Sequence, residues 1–334
     1  MINVGINGFG RIGRLILRAS LERTDNYIRV VAINDIGNID QNLHLLKYDS
    51  VHGKLGSNAK VKDNKMFIND NPISFYSKKH PEDIPWSENN VDIVMECTGL
   101  FTDKEKAMGH LKNKAKKVLI SAPSNNADLT VVYGVNDNAL KENHNIISNA
   151  SCTTNCLAPI AKVLNEKFGI SAGFMTTVHS FTSDQKILDS IHSDLRRART
   201  ASSSMIPTST GAAKAVGLVL PELNGKLDGT AIRIPTPNVS MIDFTFQSQN
   251  KLSVNDLNQT IHEASINSFN NIISYNVEPL VSIDFNHNPA SSIFDATQTQ
   301  VVGDGFGRVL SWYDNEWGFS NRMIDVCNRL GSFL

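Results

Sequence analysis

The residues best suited to chemistry lie in the segment ASCTTNC, from Ala150 to Cys156, which holds two of the four cysteines. Such a pair could bind a metal ion, form a disulfide, supply a nucleophile or simply pack in the core. No two cysteines show the two-residue spacing of a zinc site, and the nine histidines follow no ligand pattern, so no metal site is expected. Four cysteines in 334 residues do not make a disulfide framework, which favours a reduced, cytosolic protein.

The hydrophobic pattern after this segment predicts a helix that begins near Cys152. An apolar stripe runs from Leu157 to Phe168, and Gly169 follows as a C-cap. Pro159 cannot donate a backbone hydrogen bond, so we expect a kink or a loosened first turn. Peptide dipoles at the start of a helix favour an anion, which lowers a thiol pKa and makes Cys152 a candidate nucleophile. Packing as a small buried residue is the alternative.

A thiolate nucleophile needs a proton shuttle nearby. His179 follows the β-type run FMTTV, although a lone histidine is more often structural. The stretch from His192 to Gly217 then combines four arginine and lysine residues with many hydroxyls. It is either a solvated loop or a cradle in which guanidinium, hydroxyl and backbone donors hold phosphate.

The elements that must position these residues alternate between strand-like and helix-like segments over residues 1–150. A helical pattern follows the first strand, INVGI. The second strand, IRVVAI, is the continuous β-branched run expected of a strand buried on both faces, and similar runs recur at VDIVMEC, KVLIS, TVVYGV and NIIS. This alternation predicts a parallel sheet with crossover helices.

A glycine-rich turn, NGFGRIG, joins the first strand to the first helix. Gly8, Gly10 and Gly13 have the dinucleotide-fingerprint spacing in its required context, with a strand before and a helix after. Such glycines allow the backbone to approach a pyrophosphate at the helix N-terminus. Asp35 lies 22 residues beyond Gly13, just past the second strand, where a carboxylate can accept hydrogen bonds from a ribose. Its alternative role is that of a turn residue.

Composition restricts the class of protein. A chain of 334 residues is long for one core, so about two domains are expected. The net charge of −1 gives no general attraction to nucleic acid or to an anionic membrane. The N-terminus lacks the features of a secretory signal, and no apolar run approaches the roughly 18 residues of a membrane span.

Several separated blocks resemble the phosphorylating, type I glyceraldehyde-3-phosphate dehydrogenase family. They are INGFGRIGR, ASCTTNCLAP, STGAAKAVG, LPELNGKL, RIPTPNVS and SWYDNEWGFSNR, and they extend from residue 3 to residue 322. The resemblance implies a Rossmann-type parallel-sheet domain that binds NAD, at residues 1–150 and completed by a C-terminal helix at 316–334. It also implies an α+β catalytic domain with a mixed or antiparallel sheet at residues 151–315.

The same resemblance implies the chemistry of the site. Cys152 would form a hemithioacetal with the aldehyde, and His179 would support the thiolate and take the hydroxyl proton as hydride leaves. Phosphate would then attack the thioester to give an acyl phosphate, 1,3-bisphosphoglycerate. The Cys152 backbone N–H is the expected oxyanion donor. The implied cofactor residues are Gly8, Gly10, Arg11, Ile12, Gly13, Asp35, Lys79, Ser121 and Asn315. The implied phosphate residues are Ser151, Thr153, Thr182, Arg197, Thr210, Gly211 and Arg233.

Two positions depart from the family pattern, and two other functions remain open. Lys79 stands where many relatives have arginine beside the adenine, and Ile191 replaces the proline of many NAD-specific bacterial relatives. The nearest rival is an erythrose-4-phosphate dehydrogenase, and a different class is a nucleotide- or RNA-binding protein without catalysis. The segment from about 180 to 207 resembles a loop that packs across subunits, which implies a homotetramer. The glycolytic or gluconeogenic direction stays open.

Overall fold

The computed structural model describes all residues, 1–334, and the chain divides into two compact units. The first unit contains Met1–Ser151 together with Ser320–Leu334, and the second contains Cys152–Phe319. None of the helices combines the length and the apolar character needed to span a bilayer.

The first unit is built on a mostly parallel nine-stranded sheet. Its strands are β1 (Ile2–Asn7), β2 (Ile28–Asn34), β5 (Ala59–Lys62), β6 (Lys65–Ile68), β7 (Asn71–Tyr76), β8 (Ile93–Glu96), β9 (Lys117–Ile120), β10 (Leu129–Thr130) and β11 (Ile146–Ser148), and β3 (Tyr48–Asp49) and β4 (Gly53–Lys54) form a separate pair. Its helices are α1 (Arg11–Glu22), α2 (Ile39–Lys47), α3 (Lys104–Ala107) and α4 (Gly109–Lys112).

The strand order of this sheet is β10-β11-β9-β8-β1-β2-β7-β6-β5. The pairs from β10 to β7 are parallel, and only β5 and β6 add antiparallel pairs at one edge. Chain order reverses beside β1, where the neighbours are β2 and β8, and such a switch point leaves a crevice at the carboxyl ends of the strands. The apolar strand runs are buried as predicted, with Val4, Ile6 and Ile33 wholly inaccessible.

One predicted strand of this unit is largely wrong. The run TVVYGV contributes only its first residue to β10, and Val131 and Val132 continue outside the strand although both are buried. The Asn136 side chain accepts from the Val132 N–H at 2.9 Å and donates to the Thr130 carbonyl at 2.9 Å. These bonds satisfy backbone groups that a longer ladder would have used, so the chain turns instead.

The second unit is built on a mixed eight-stranded sheet. Its strands are β12 (Ile170–Ser180), β13 (Ile206–Ser209), β14 (Leu227–Ile234), β15 (Ser240–Ser248), β16 (Ile273–Asn276), β17 (Ser292–Asp295), β18 (Gln300–Val302) and β19 (Phe306–Tyr313). Its helices are α5 (Cys152–Phe168), α6 (Ala212–Val219) and α7 (Val254–Ile266), and α8 (Trp317–Gly331) begins here and continues into the first unit. The order is β13-β14-β12-β15-β19-β17-β16, with β18 on β19.

The predicted fold class, a Rossmann-type parallel sheet plus an α+β part with a mixed sheet, is therefore confirmed. The predicted helix after residue 151 is present, and it continues through Pro159 without interruption. Leu157, Ile160 and Leu164 on its apolar stripe are fully buried. Gly169 ends the helix with a φ of 70°, a conformation that glycine adopts without strain.

Candidate active site

In the glycine turn between β1 and α1, Gly8 and Gly13 are sterically required, whereas Gly10 leaves open space. Gly8 has a φ of 90°, and a Cβ there would lie 2.7 Å from the Thr98 nitrogen. A Cβ on Gly13 would lie 2.2 Å from the Gly8 oxygen, whereas one on Gly10 would meet nothing within 4 Å. Gly10 is the N-cap of α1 and brings no side-chain acceptor to the first helical turn. The turn thus leaves open space at a helix N-terminus, which fits a pyrophosphate.

A cavity of about 240 Å³ lies at the carboxyl ends of β1 and β2. The Asp35 carboxylate is fixed at its wall, since its two oxygens accept from the N–H groups of Phe9 at 2.8 Å and Gly37 at 2.7 Å. Oδ1 also accepts from the Asn42 amide at 3.3 Å, and Oδ2 retains acceptor capacity for a ribose hydroxyl. The lining residues are Asn7, Gly8, Gly10, Asn34, Asp35, Ile36, Lys78, Lys79, Cys97, Thr98, Leu100 and Phe101. The open glycine turn and the acidic wall fit an adenine dinucleotide.

The other predicted cofactor residues are not among those that line this cavity. The Arg11 guanidinium hydrogen-bonds Asp49 at 2.6 and 3.2 Å, so its side chain is committed to an ion pair. Ile12 and Gly13 lie in the first turn of α1. Ser121 follows β9, and its N–H donates to the Glu96 carbonyl at 2.9 Å. Asn315 belongs to the second unit.

A buried polar network underlies the cavity, and the sequence analysis missed it. The Glu96 carboxylate accepts from the Asn7 amide at 2.6 Å, from the Thr98 N–H at 2.8 Å and from Nε2 of His110 at 3.0 Å. Asn7 in turn accepts from Asn34 at 2.8 Å. Polar residues at the carboxyl ends of otherwise apolar strands were the available signal. The network holds three strand ends in one arrangement beside the cavity.

In the second unit, Cys152 is the first residue of α5, and His179 lies next to the end of β12. The Sγ of Cys152 is 3.5 Å from Nε2 of His179. Nδ1 of His179 lies 2.7 Å from the Ser180 carbonyl oxygen and 2.7 Å from Nη1 of Arg233, which is paired with His179 across β12 and β14. Each neutral tautomer of the imidazole therefore has a partner at Nδ1, and Nε2 can accept or donate a proton toward the thiol.

The predicted lowering of the Cys152 pKa is wrong, because burial raises the pKa of this thiol more than the Arg233 charge and the hydrogen bonds from Thr153 lower it. The helix N-terminus acts in the expected direction but is outweighed by desolvation. Burial, followed by the Arg233 charge, lowers the pKa of His179 to about 3, against a smaller opposing effect of the Ser180 carbonyl. His179 is therefore neutral near pH 7.

Tyr313 is a further residue of this cluster that the sequence analysis did not single out. Its hydroxyl lies 2.9 Å from the Thr153 hydroxyl and 2.9 Å from that of Thr177, and its ring meets the His179 ring edge-on at 5.8 Å. Burial raises its pKa well above the ordinary range, so the hydroxyl stays protonated. Tyr313 thus holds the first turn of α5 and the imidazole in place. The block SWYDNEWGFSNR contains it, but nothing local marks it as part of the site.

The predicted phosphate residues fall around two guanidinium groups. Arg233 is partly buried beside His179, and burial, followed in the same direction by the charge of Arg197, lowers the pKa of its guanidinium. Arg197 donates to the Thr208 hydroxyl at 2.9 Å and to Asp184 at 2.8 Å, so an incoming anion competes with a carboxylate there.

The remaining phosphate candidates lie nearby in the chain. Gly211 is the N-cap of α6, and the Thr210 hydroxyl accepts from the Ala212 N–H at 3.2 Å. The Thr182 N–H donates to Gln185 at 3.0 Å. Ser151 precedes α5 as the last residue of the first unit's leading segment. These positions offer backbone and hydroxyl donors, which suit phosphate oxygens.

The glycine turn with its acidic partner is typical of a dinucleotide-binding enzyme, and the Cys152–His179 pair has the residue types that covalent catalysis requires. Family models agree: residues 2–104 match the glyceraldehyde 3-phosphate dehydrogenase NAD binding domain, and residues 151–315 match the C-terminal domain of the same family. The chain belongs to the glyceraldehyde-3-phosphate dehydrogenase family, and its cofactor is NAD.

Individual relatives are similar over almost their full length. The chain is 55% identical over 330 residues to glyceraldehyde-3-phosphate dehydrogenase of Xanthobacter flavus, covering 99% of this chain and 98% of that protein. It is 53% identical over 333 residues to the enzyme of Cereibacter sphaeroides, covering 100% and 99%. It is 52% identical over 332 residues to that of Geobacillus stearothermophilus, covering 99% and 98%.

Proposed function

We propose that this protein oxidises D-glyceraldehyde 3-phosphate to 1,3-bisphosphoglycerate with NAD and inorganic phosphate, through a covalent intermediate on Cys152. The observation that carries the proposal is the 3.5 Å contact between Sγ of Cys152 and Nε2 of His179, at a helix N-terminus and beside Arg233. A thiolate adds readily to an aldehyde, and a thioester retains enough free energy to form a mixed anhydride with phosphate.

In the first step, Nε2 of His179 takes the proton of the Cys152 thiol as Sγ attacks the aldehyde carbon, and the carbonyl becomes an alkoxide. Nε2 of His179 gives this oxygen a proton or holds it by a hydrogen bond, and the Cys152 backbone N–H is the second donor. His179 takes the hydroxyl proton back as the carbon is oxidised, which leaves a thioester on Sγ. Bound NAD supplies the hydride acceptor. The glycine turn would hold the pyrophosphate of NAD, and Asp35 would hold its adenosine ribose. Further cofactor residues would be Lys79, Ser121 and Asn315.

In the second step, a phosphate oxygen attacks the thioester carbon, and Cys152 leaves as a thiolate. We assign two groups of residues to binding the substrate phosphate and the attacking phosphate. One group is Arg233, Ser151 and Thr153, and the other is Arg197, Thr182, Thr210 and Gly211. Guanidinium groups and oriented N–H groups match phosphate geometry. The buried Nε of Arg233 has no hydrogen-bond partner in the chain, which supports an anion site beside this guanidinium.

We further propose a cytoplasmic homotetramer. The segment from about 180 to 207 carries exposed apolar side chains that a monomer would leave in water: Ile187, Leu188, Ile191, Leu195 and Met205. A contiguous exposed apolar segment favours burial against another subunit. Light scattering of the purified protein should give four times the mass of one chain, and a stable monomer would contradict this part of the proposal.

One assay tests the main proposal. Reduction of NAD is followed with glyceraldehyde 3-phosphate, with and without inorganic phosphate, and again with erythrose 4-phosphate. We expect sustained turnover only when phosphate is present, and at least about tenfold higher kcat/KM for the triose phosphate. Higher efficiency with erythrose 4-phosphate would overturn the substrate assignment. Turnover that does not depend on phosphate would overturn the second step.

A further inference from the structure

Three polar side chains of the second unit meet in a buried cluster at the ends of strands. Ser180 ends β12, Ser240 begins the neighbouring strand β15, and Asn315 follows β19, whose Tyr313 pairs with Ser240. All three residues are buried. Ser180 directly follows His179 in the chain, yet the hydrogen bonds of the two serine hydroxyls stay within the cluster.

Both hydroxyls converge on one atom, Oδ1 of Asn315. The Ser180 Oγ donates to it at 2.8 Å, and the Ser240 Oγ donates to it at 2.9 Å. Ser240 Oγ also accepts from the Ser180 N–H at 3.0 Å. The amide oxygen is therefore saturated, whereas Nδ2 of Asn315 makes no hydrogen bond within the chain.

The reverse orientation of this amide would be unfavourable. Nδ2 would then donate to both serine oxygens, and neither hydroxyl proton would have the amide oxygen as its acceptor. Only the 3.4 Å contact between the two hydroxyls would remain, and it can use one proton at most. A buried hydroxyl without an acceptor is costly, so the two serines hold the amide in a single orientation.

We propose that Ser180 and Ser240 are positioning residues that present Asn315 to the cofactor only as a hydrogen-bond donor. This inference rests on the proposed function, in which Asn315 meets the carboxamide of NAD. A donor-only amide selects an acceptor, so Asn315 recognises the carbonyl oxygen of the carboxamide and not its NH₂ group. The two hydroxyls thereby decide which chemical group on the pyridine ring this protein accepts.

Two cofactor analogues test the selection by equilibrium titration, without any turnover. The 3-acetylpyridine analogue of NAD keeps the carbonyl and lacks the NH₂ group, whereas the 3-aminopyridine analogue keeps N–H donors and lacks the carbonyl. For the unsubstituted protein we expect the acetyl analogue to bind at least about tenfold more tightly than the amino analogue. This factor is typical of the difference between one hydrogen bond and an unpaired polar group. A ratio near one would overturn the proposal.

Variants test the two serines themselves. In the double variant Ser180→Ala, Ser240→Ala the amide can rotate, and the ratio between the analogues should fall below about threefold. If the double variant does not fold, each single variant decides, with an expected fall in the ratio of at least about threefold. Ser265→Ala, which removes a buried hydroxyl donor on α7, should leave the ratio unchanged. General structural damage would weaken both analogues alike, so an unchanged ratio in the serine variants would also overturn the proposal.

The dehydrogenase assay separates this inference from the proposed function. If the enzyme is active but the analogue ratio is near one, only the positioning role of the serines is refuted. If the enzyme has no phosphate-dependent activity, the proposed function is refuted, whatever the analogue ratio is.

Discussion

Nη1 of Arg233 lies 2.7 Å from Nδ1 of His179, on the side of the imidazole opposite to the Cys152 thiol. One guanidinium thus acts on both members of the pair, and it lowers the pKa of each. For the thiol this favours the reactive anion, and for the imidazole it favours the neutral form. Arg233 therefore promotes a thiolate beside a neutral histidine.

Replacement of Arg233 should raise both pKa values. In Arg233→Gln the thiolate of Cys152 should appear at higher pH, because a cation that lowers its pKa is gone. Alkylation by iodoacetamide at neutral pH should therefore slow by about tenfold, because less thiolate is present. The measurement is the alkylation rate from pH 6 to 10. Arg199→Gln, at an exposed arginine paired with Asp189, is the control and should keep the original inflection. An inflection that moves to lower pH would contradict this account of Arg233.

Substitution of the catalytic pair should separate chemistry from cofactor binding. Cys152→Ser should abolish aldehyde oxidation while NAD still binds, because a serine alkoxide is inaccessible near neutral pH. His179→Asn should slow thiol alkylation and hydride transfer by roughly 10²–10⁴-fold, as expected for lost acid–base assistance. Single-turnover kinetics and NAD titration are the measurements. Full dehydrogenase activity in Cys152→Ser would refute the mechanism.

The two cysteines of α5 should differ in reactivity. Cys156 is buried one turn deeper, with its Sγ 3.4 Å from the Ser292 hydroxyl, and burial raises its pKa to about 12. It is therefore a neutral thiol at pH 7–8. Cys156→Ser should keep most activity, and limiting iodoacetamide should label Cys152 first as activity falls in step. Mass spectrometry of partly alkylated protein is the measurement. First labelling at Cys156 would contradict the assigned roles.

The cofactor cavity should prefer NAD to NADP. Asp35 is held at the wall by the N–H groups of Phe9 and Gly37, so its charge cannot swing away from a 2′-phosphate. Lys78 and Lys79 line the same cavity and oppose this effect. Asp35→Asn should therefore raise kcat/KM for NADP at least about tenfold, since the repulsion is removed and the cations remain. Equal kcat/KM for the two cofactors in the unsubstituted protein would refute the prediction.

Asp49 should contribute to stability in a pH-dependent way. Burial opposes its ionisation, but the Arg11 guanidinium and the N–H groups of His52 and Val51 lower its pKa to about 2. A pKa below that of an unfolded aspartate, about 3.9, adds stability above roughly pH 4 that is lost as the pH falls toward 2.

Asp49→Asn should therefore reduce the free energy of unfolding at pH 7 by roughly 1–3 kcal/mol. Between about pH 4 and 2 the variant should lose less stability than the unsubstituted protein. Urea unfolding at several pH values is the measurement. Asp70→Asn, which breaks the exposed Lys60–Asp70 pair, is the control and should have little effect. Equal losses in the two variants would contradict the assigned role of Asp49.

The sequence by itself determined what depends on neighbours along the chain. Helical and strand periodicity predicted α1, α5 and the buried strands, because burial of one face follows from spacing alone. Gly8, Gly10 and Gly13 were recognisable because the turn, the strand before it and the helix after it are contiguous. The block around Cys152 identified the family for the same reason.

Tertiary structure alone decided how distant residues change one another. Arg233 reaches His179 across 54 residues through strand pairing, and Tyr313 reaches Thr153 across 160 residues through packing of β19 on α5. No local pattern encodes either contact. The same packing reversed the predicted pKa shift of Cys152, because desolvation depends on everything that surrounds a thiol, whereas the helix dipole depends only on its own segment. It also ended β10 early, when the Asn136 side chain took the hydrogen bonds of a strand that residue propensity had predicted.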